Sequence, residues 1–152
     1  MILTVSGWRE WEKRCDPTFV VYQLDRYKHL YGASLHVRVG DAEGVDKITR
    51  DWLFADEQQS SGITYQVYRV ETGKYGWPAA GPIRNGKMLR GQNSSDLQHD
   101  ELADLLLALP EPGVKMHSPG SGTTGCLIEA HSLGISVDIP GYKGWKKERG
   151  EK

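Results

Sequence analysis

The apolar positions of this chain alternate between short runs and longer stretches with helical spacing. Residues 2–5 form an apolar run that stops at Gly7, the pattern of a buried strand. Asp16 then stands as an N-cap before Pro17, and Val20, Leu24, Tyr27 and Tyr31 recur at helical spacing until Gly32 ends the helix. Residues 35–39 alternate, are rich in β-branched residues and run into Gly40, which predicts a second strand. A second helix starts near Val45, with Val45, Ile48, Trp52 and Leu53 on one face, and its end blurs into the polar stretch 56–62. Residues 63–70 read as a third strand and 71–81 as a loop rich in Gly, Pro and aromatics. Pro82 opens a short helix carrying Ile83, Met88 and Leu89, and 91–100 is a polar excursion. Residues 102–109 are nearly all apolar, as a central parallel strand would be. After a loop over 113–122, a helix starts at Thr123 or Thr124, Gly134 stops it, and 135–139 is the last strand.

Strands alternating with helices predict an α/β fold: a Rossmann-like, mainly parallel five-stranded sheet flanked by helices. No internal repeat or long linker divides the chain. One domain is expected over residues 1–140, with a basic mobile tail over 141–152 that carries Lys143, Lys146, Lys147 and Arg149.

Composition narrows the function classes. A chain of 152 residues builds a core without metal or disulfide staples. The net charge of −1 supplies no basic field to gather nucleic acid, so that partner is disfavoured. Cys15 and Cys126 have no CxxC spacing and read as free thiols of a reducing compartment. The five histidines show no metal-ligand spacing, so neither metal nor cofactor is expected. The start MILTVSGWRE lacks the basic flank and apolar run of a signal peptide, and no stretch reaches the roughly 20 apolar residues of a membrane span. A cytoplasmic protein without membrane contact is expected.

In open α/β sheets, ligands sit outside the carboxyl ends of the strands. SGWREW, GDAEGVD, PAAGPIRNGKML and SPGSGTTG all fall at that edge on this reading. Glycine lets backbone N–H groups approach a phosphate, and a helix N-terminus adds partial positive charge. The candidate ligand residues are therefore Gly7, Trp8 and Arg9 after the first strand, and Gly40, Asp41, Ala42, Gly44 and Asp46 after the second. Gly120, Ser121, Gly122, Thr123 and Thr124 follow the fourth. Asp46 serves either as a helix cap or as an acceptor for a ribose. The two threonines are caps that also present hydroxyls and N–H groups to an anion. Trp8 and Trp11 offer rings on which a base stacks, although packing against helices suits Trp11 better.

Four segments share a further pattern. GDAEGVDKITRDWL resembles the motif G-x-A-x-G-[VA]-D of the YspA-type branch of the SLOG superfamily, and AAGPIRNGKML resembles its G-P-x-R-N-x-x-M-L. SGTTGCLIEAHSLGISV is similar to the branch's last helix and strand, and TVSGWREW to its opening turn, with Trp8 where a small residue is usual. The resemblance runs over nearly the whole chain and implies a nucleotide or nucleotide-derived ligand. It makes Arg84, beside Asn85, the residue expected to fork a phosphate. The superfamily's LOG phosphoribohydrolases, similar at Pro119-Gly120-Ser121-Gly122-Thr123, imply a homodimer and an N-glycosidic cleavage with Arg84 steadying phosphate. The chain departs from them at the acid: Cys126 stands three residues after Thr123, and Glu129 is the nearest carboxylate able to replace it. The superfamily's DprA proteins suggest single-stranded DNA as a further ligand, against which the net charge counts. A nucleotide-binding module is the leading expectation, and phosphoribohydrolase the rival.

Overall fold

The computed structural model describes residues 1–76, 80–92, 101–113 and 122–142. The strands are β1 (Ile2–Gly7), β2 (His36–Gly40), β3 (Thr64–Tyr68), β4 (Leu105–Leu109) and β5 (Ser136–Asp138). All pairings are parallel, in the order β3-β2-β1-β4-β5. The expected Rossmann-like α/β sheet is therefore present.

Helices α1 (Trp11–Arg14) and α2 (Pro17–Tyr31) join β1 to β2, and α3 (Val45–Phe54) and α4 (Asp56–Ser60) join β2 to β3. Helices α5 (Thr72–Tyr75) and α6 (Ala80–Arg90) lead to β4, and α7 (Gly122–Ser132) leads to β5. The chain steps from β1 outward to β3 and then returns past β1 to β4. Crossovers of one hand place α2 and α3 on one face and α6 and α7 on the other.

The two faces differ in chemistry because side chains alternate along each strand. Leu3, Val5, Val37, Val39, Leu107 and Leu109 meet Val20, Leu24, Val45, Trp52 and Leu53 in the larger apolar cluster. Leu106 and Ala108 meet Leu89, Cys126 and Ala130 in a smaller one. Under α6 the sheet is polar instead: Thr4, Arg38 and Gln66 stand side by side in register. Arg38 is buried there and donates from Nη1 to the Met88 carbonyl at 3.1 Å, one of the last carbonyls of α6.

Several sequence expectations need adjusting. Asp16 does cap α2, accepting from the Thr18 N–H at 2.9 Å, but Gly32 leads into a single 3-10 turn, Gly32–Ser34, before β2. The polar stretch after α3 folds as α4, and the loop after β3 contains α5. Helix α6 starts at Ala80, so Pro82 is its third residue, where a missing N–H costs nothing. The fourth strand starts at Leu105, since the Asp104 carboxylate accepts the Ile2 N–H at 2.7 Å and leaves Leu102 outside, 46% exposed. The domain extends past residue 140, because the Tyr142 ring packs 5.2 Å from Trp11 and 5.0 Å from Phe19, and its hydroxyl accepts the Asp16 N–H. Residues 93–100 of the excursion and 143–152 of the tail lie outside the described residues. Among the described residues, no helix is long and apolar enough to cross a membrane.

Candidate functional site

The chain reverses direction between β1 and β4, and at such a switch the loops from neighbouring strands part and leave a crevice. The exits of β1 and β2 and the start of α7 all reach the carboxyl edge there, as the glycine-bearing segments predict.

Two glycines make that edge compact. A Cβ on Gly7 would lie 2.5 Å from the Val45 Cβ, so Gly7 lets the first turn of α3 rest on the end of β1. Gly44 has φ +70°, and a side chain on it would strike the Trp8 and Arg9 backbone that passes beneath. The Val45 N–H donates to the Trp8 carbonyl at 3.3 Å, and the Trp8 N–H to the Leu109 carbonyl at 2.8 Å. The Trp8 ring is partly buried and packs against the larger core. Trp11 is fully buried, with Nε1 donating to the Asp16 carbonyl at 3.0 Å. Arg9 is exposed at the edge.

A hydrogen-bond chain crosses the edge. The Val70 N–H donates to Asp41 Oδ2 at 3.2 Å, and Arg84 Nη1 donates to Asp41 Oδ1 at 2.7 Å. Arg84 Nε donates to Asn85 Oδ1 at 2.8 Å, and Asn85 Nδ2 reaches the Gly122 carbonyl at 3.5 Å. These bonds link the exits of β3 and β2 through α6 to the first residue of α7. The Arg84 guanidinium lies over Gly40, whose absent Cβ would fall 2.5 Å from Nη1. Arg84 is thus not an isolated fork awaiting a phosphate. Its side chain is 10% exposed and already holds an internal carboxylate.

Asp46 is buried beside this pair. Its carboxylate turns away from the start of α3 and accepts the Ala42 N–H at 3.3 Å, so it braces the loop and is not the helix cap. Burial pushes its pKa up to about 6, against the pull of Arg84, the Ala42 N–H and Arg50, and with a push from Asp41. Arg50, one turn along α3, donates to the Gly40 and Ala42 carbonyls, both at 2.8 Å. Sequence reading missed Arg50. Its position four residues after Asp46 on a predicted helix was the available signal.

At the start of α7, Gly122 is exposed and open, whereas Thr123 and Thr124 are 4% and 6% exposed. The Thr123 and Thr124 side chains therefore face inward, and the first-turn N–H groups of an α-helix have no partner within the helix. Gly120 and Ser121 lie outside the described residues. Cys126 is buried, hydrogen-bonded to Ser6, and burial pushes its thiol up to about 12.

Glu129 is elsewhere. It pairs with Arg90, the last residue of α6. Seven residues along α7 from Gly122 is roughly 10 Å toward the amino edge of the sheet. The candidate replacement acid therefore does not reach the crevice.

No family model, curated protein or solved structure matches this chain.

Among the described residues, no three His, Cys, Asp or Glu side chains gather as a metal site.

Proposed function

We propose that the protein binds a nucleotide or nucleotide-derived ligand in the crevice at the carboxyl edge, as a sensing, sequestering or presenting module. The observation that carries this reading is the joining of the β2 exit, Arg84, Asn85 and the open Gly122 into one hydrogen-bonded edge. A phosphate at the first turn of α7 would meet backbone N–H groups and the positive end of the helix. Arg84 lies next to that turn through Asn85. Asp41 and the carbonyls fixed by Arg50 offer acceptors for ribose hydroxyls. The resemblance to the YspA-type SLOG branch points to the same segments.

The phosphoribohydrolase reading gains nothing from the geometry. Glycoside cleavage needs a carboxyl group beside the ribose. Cys126 offers a neutral thiol there, and Glu129 is committed to Arg90 at a distance. DNA binding lacks a charge field to drive it.

Isothermal calorimetry with AMP tests the proposal. Arg84→Ala should weaken AMP by about 1.5–3 kcal/mol, the range for hydrogen bonds to a charged group. Arg84→Lys, which keeps the charge near Asp41, should recover part of the loss and serves as the control for folding. Equal affinity in wild type and both variants would remove Arg84 from the site.

A further inference from the structure

A cleft of about 300 Å3 opens between α6 and the carboxyl end of the edge strand β3, lined by Gln66, Val67, Tyr68, Arg69, Glu71, Arg84 and Lys87. Gln66 and Tyr68 pair in register with Arg38 and Gly40, so their side chains form its floor under α6. Arg84 and Lys87 are three residues apart on one face of α6 and form its wall.

The charges lining this cleft are unequal: Arg69, Arg84 and Lys87 stand with one carboxylate, Glu71, while Arg84 is already paired with Asp41. Lys87 Nζ donates to Glu71 Oε1 at 2.8 Å, with side chains only 16% and 24% exposed. That bond holds the ammonium above its ordinary value, against the effect of burial. Lys74 and Lys87 both lie over the Tyr75 ring, at 5.2 and 5.4 Å. Arg69 is exposed and makes no hydrogen bond or ion pair with the described residues.

A neutral ligand entering here would either leave the Lys87–Glu71 pair intact and use little of the cleft, or break it and strand an ammonium. An anion replaces Glu71 on Lys87 charge for charge and gains Arg69. We propose that this cleft is a second anion-binding subsite, which takes a phosphate or carboxylate group against Arg69 and Lys87. In the free protein, the Glu71 carboxylate occupies the place of that group. The subsite is distinct from the first turn of α7, although Arg84 borders both.

Titration of the 15N-labelled full chain with inorganic phosphate, and separately with acetate, reads the two places independently. Phosphate should shift the Arg69, Val70 and Lys87 amides along a saturable curve. Lys87→Gln should weaken that curve about tenfold. Glu71→Gln should tighten it about two- to fivefold, because the internal competitor is gone, a gain that damage to the fold would not produce. Acetate saturating as tightly as phosphate would assign the cleft to carboxylates, and acetate failing to saturate would assign it to phosphates. Shifts confined to 122–124, or weaker binding in Glu71→Gln, would overturn the subsite. Shifts at Arg69 and Lys87 without any at 122–124 would uphold it and count instead against the phosphate position at α7.

Discussion

Asp46→Asn alters one atom in a site with almost no spare volume, and the outcome turns on a proton. Asp46 is 4% exposed, and burial raises its pKa from 3.8 to about 6 even with Arg84 and Arg50 nearby. The folded protein therefore holds this proton more tightly than the unfolded chain does. Below about pH 3.8 the carboxyl is protonated in both states, and its contribution to stability is fully present. As pH rises toward 6 the unfolded chain releases the proton freely while the fold must ionise a buried group, and the contribution is lost. The full difference is about 3 kcal/mol at one pKa unit per 1.36 kcal/mol. Asparagine stays neutral at every pH and still accepts the Ala42 N–H, although its amide nitrogen faces the Arg84 guanidinium and gives part of the gain back. Asp46→Asn should thus be more stable than wild type by about 1–3 kcal/mol at pH 8, with the gap closing toward pH 4. Urea denaturation at both pH values measures it. A variant less stable than wild type at pH 8, or a gap that does not change with pH, would refute the reasoning. A buried carboxylate kept at this cost also fits a site where ligand chemistry outranks stability.

Gly40→Ala would place a methyl 2.5 Å from Arg84 Nη1 and 2.6 Å from Asp46 Oδ2, so it should destabilise by about 1–3 kcal/mol in urea and lower AMP affinity with it. Gly125→Ala is the control: it is exposed in α7 with nothing within 4 Å of the added carbon, and it should be neutral or gain up to about 1 kcal/mol. Glu129→Gln should leave AMP affinity unchanged and cost at most about 1 kcal/mol of stability, since the pair with Arg90 is 36% exposed on both sides. No free adenine should appear when wild type is incubated with AMP. Turnover abolished in Glu129→Gln, followed by chromatography of the products, would make the protein a phosphoribohydrolase.

The elements were legible where the local pattern and the tertiary context agree. Leu3, Val5, Val37 and Val39 belong to strands sandwiched between helices, and Val45, Ile48, Trp52 and Leu53 form one buried helix face, so period alone located them. Leu102 misled because its apolarity reads as strand, whereas the Asp104 carboxylate bonded to the Ile2 N–H fixes where pairing begins. The carboxyl-edge segments were legible from their glycines, but the reasons for those glycines were not. Gly7, Gly40 and Gly44 each make room for a side chain or backbone distant in sequence, Val45, Arg84 and the 8–9 turn. For the same reason the inward turn of Thr123 and Thr124, the packing of Trp8 and the engagement of Arg84 by Asp41 had no sequence signature. The β3-edge cleft joins residues from two elements whose proximity only the sheet order creates.

The central claim is a nucleotide at the carboxyl edge, and mapping AMP on the 15N-labelled protein tests it most directly. Up to about 1 mM AMP, the amides of Trp8, Arg9, Asp41, Ala42 and 122–124 should shift together along one saturable curve, and adenosine should bind at least about tenfold more weakly. Shifts confined to the amino edge, at Ala103 or Gly134, or no shifts anywhere, would contradict it.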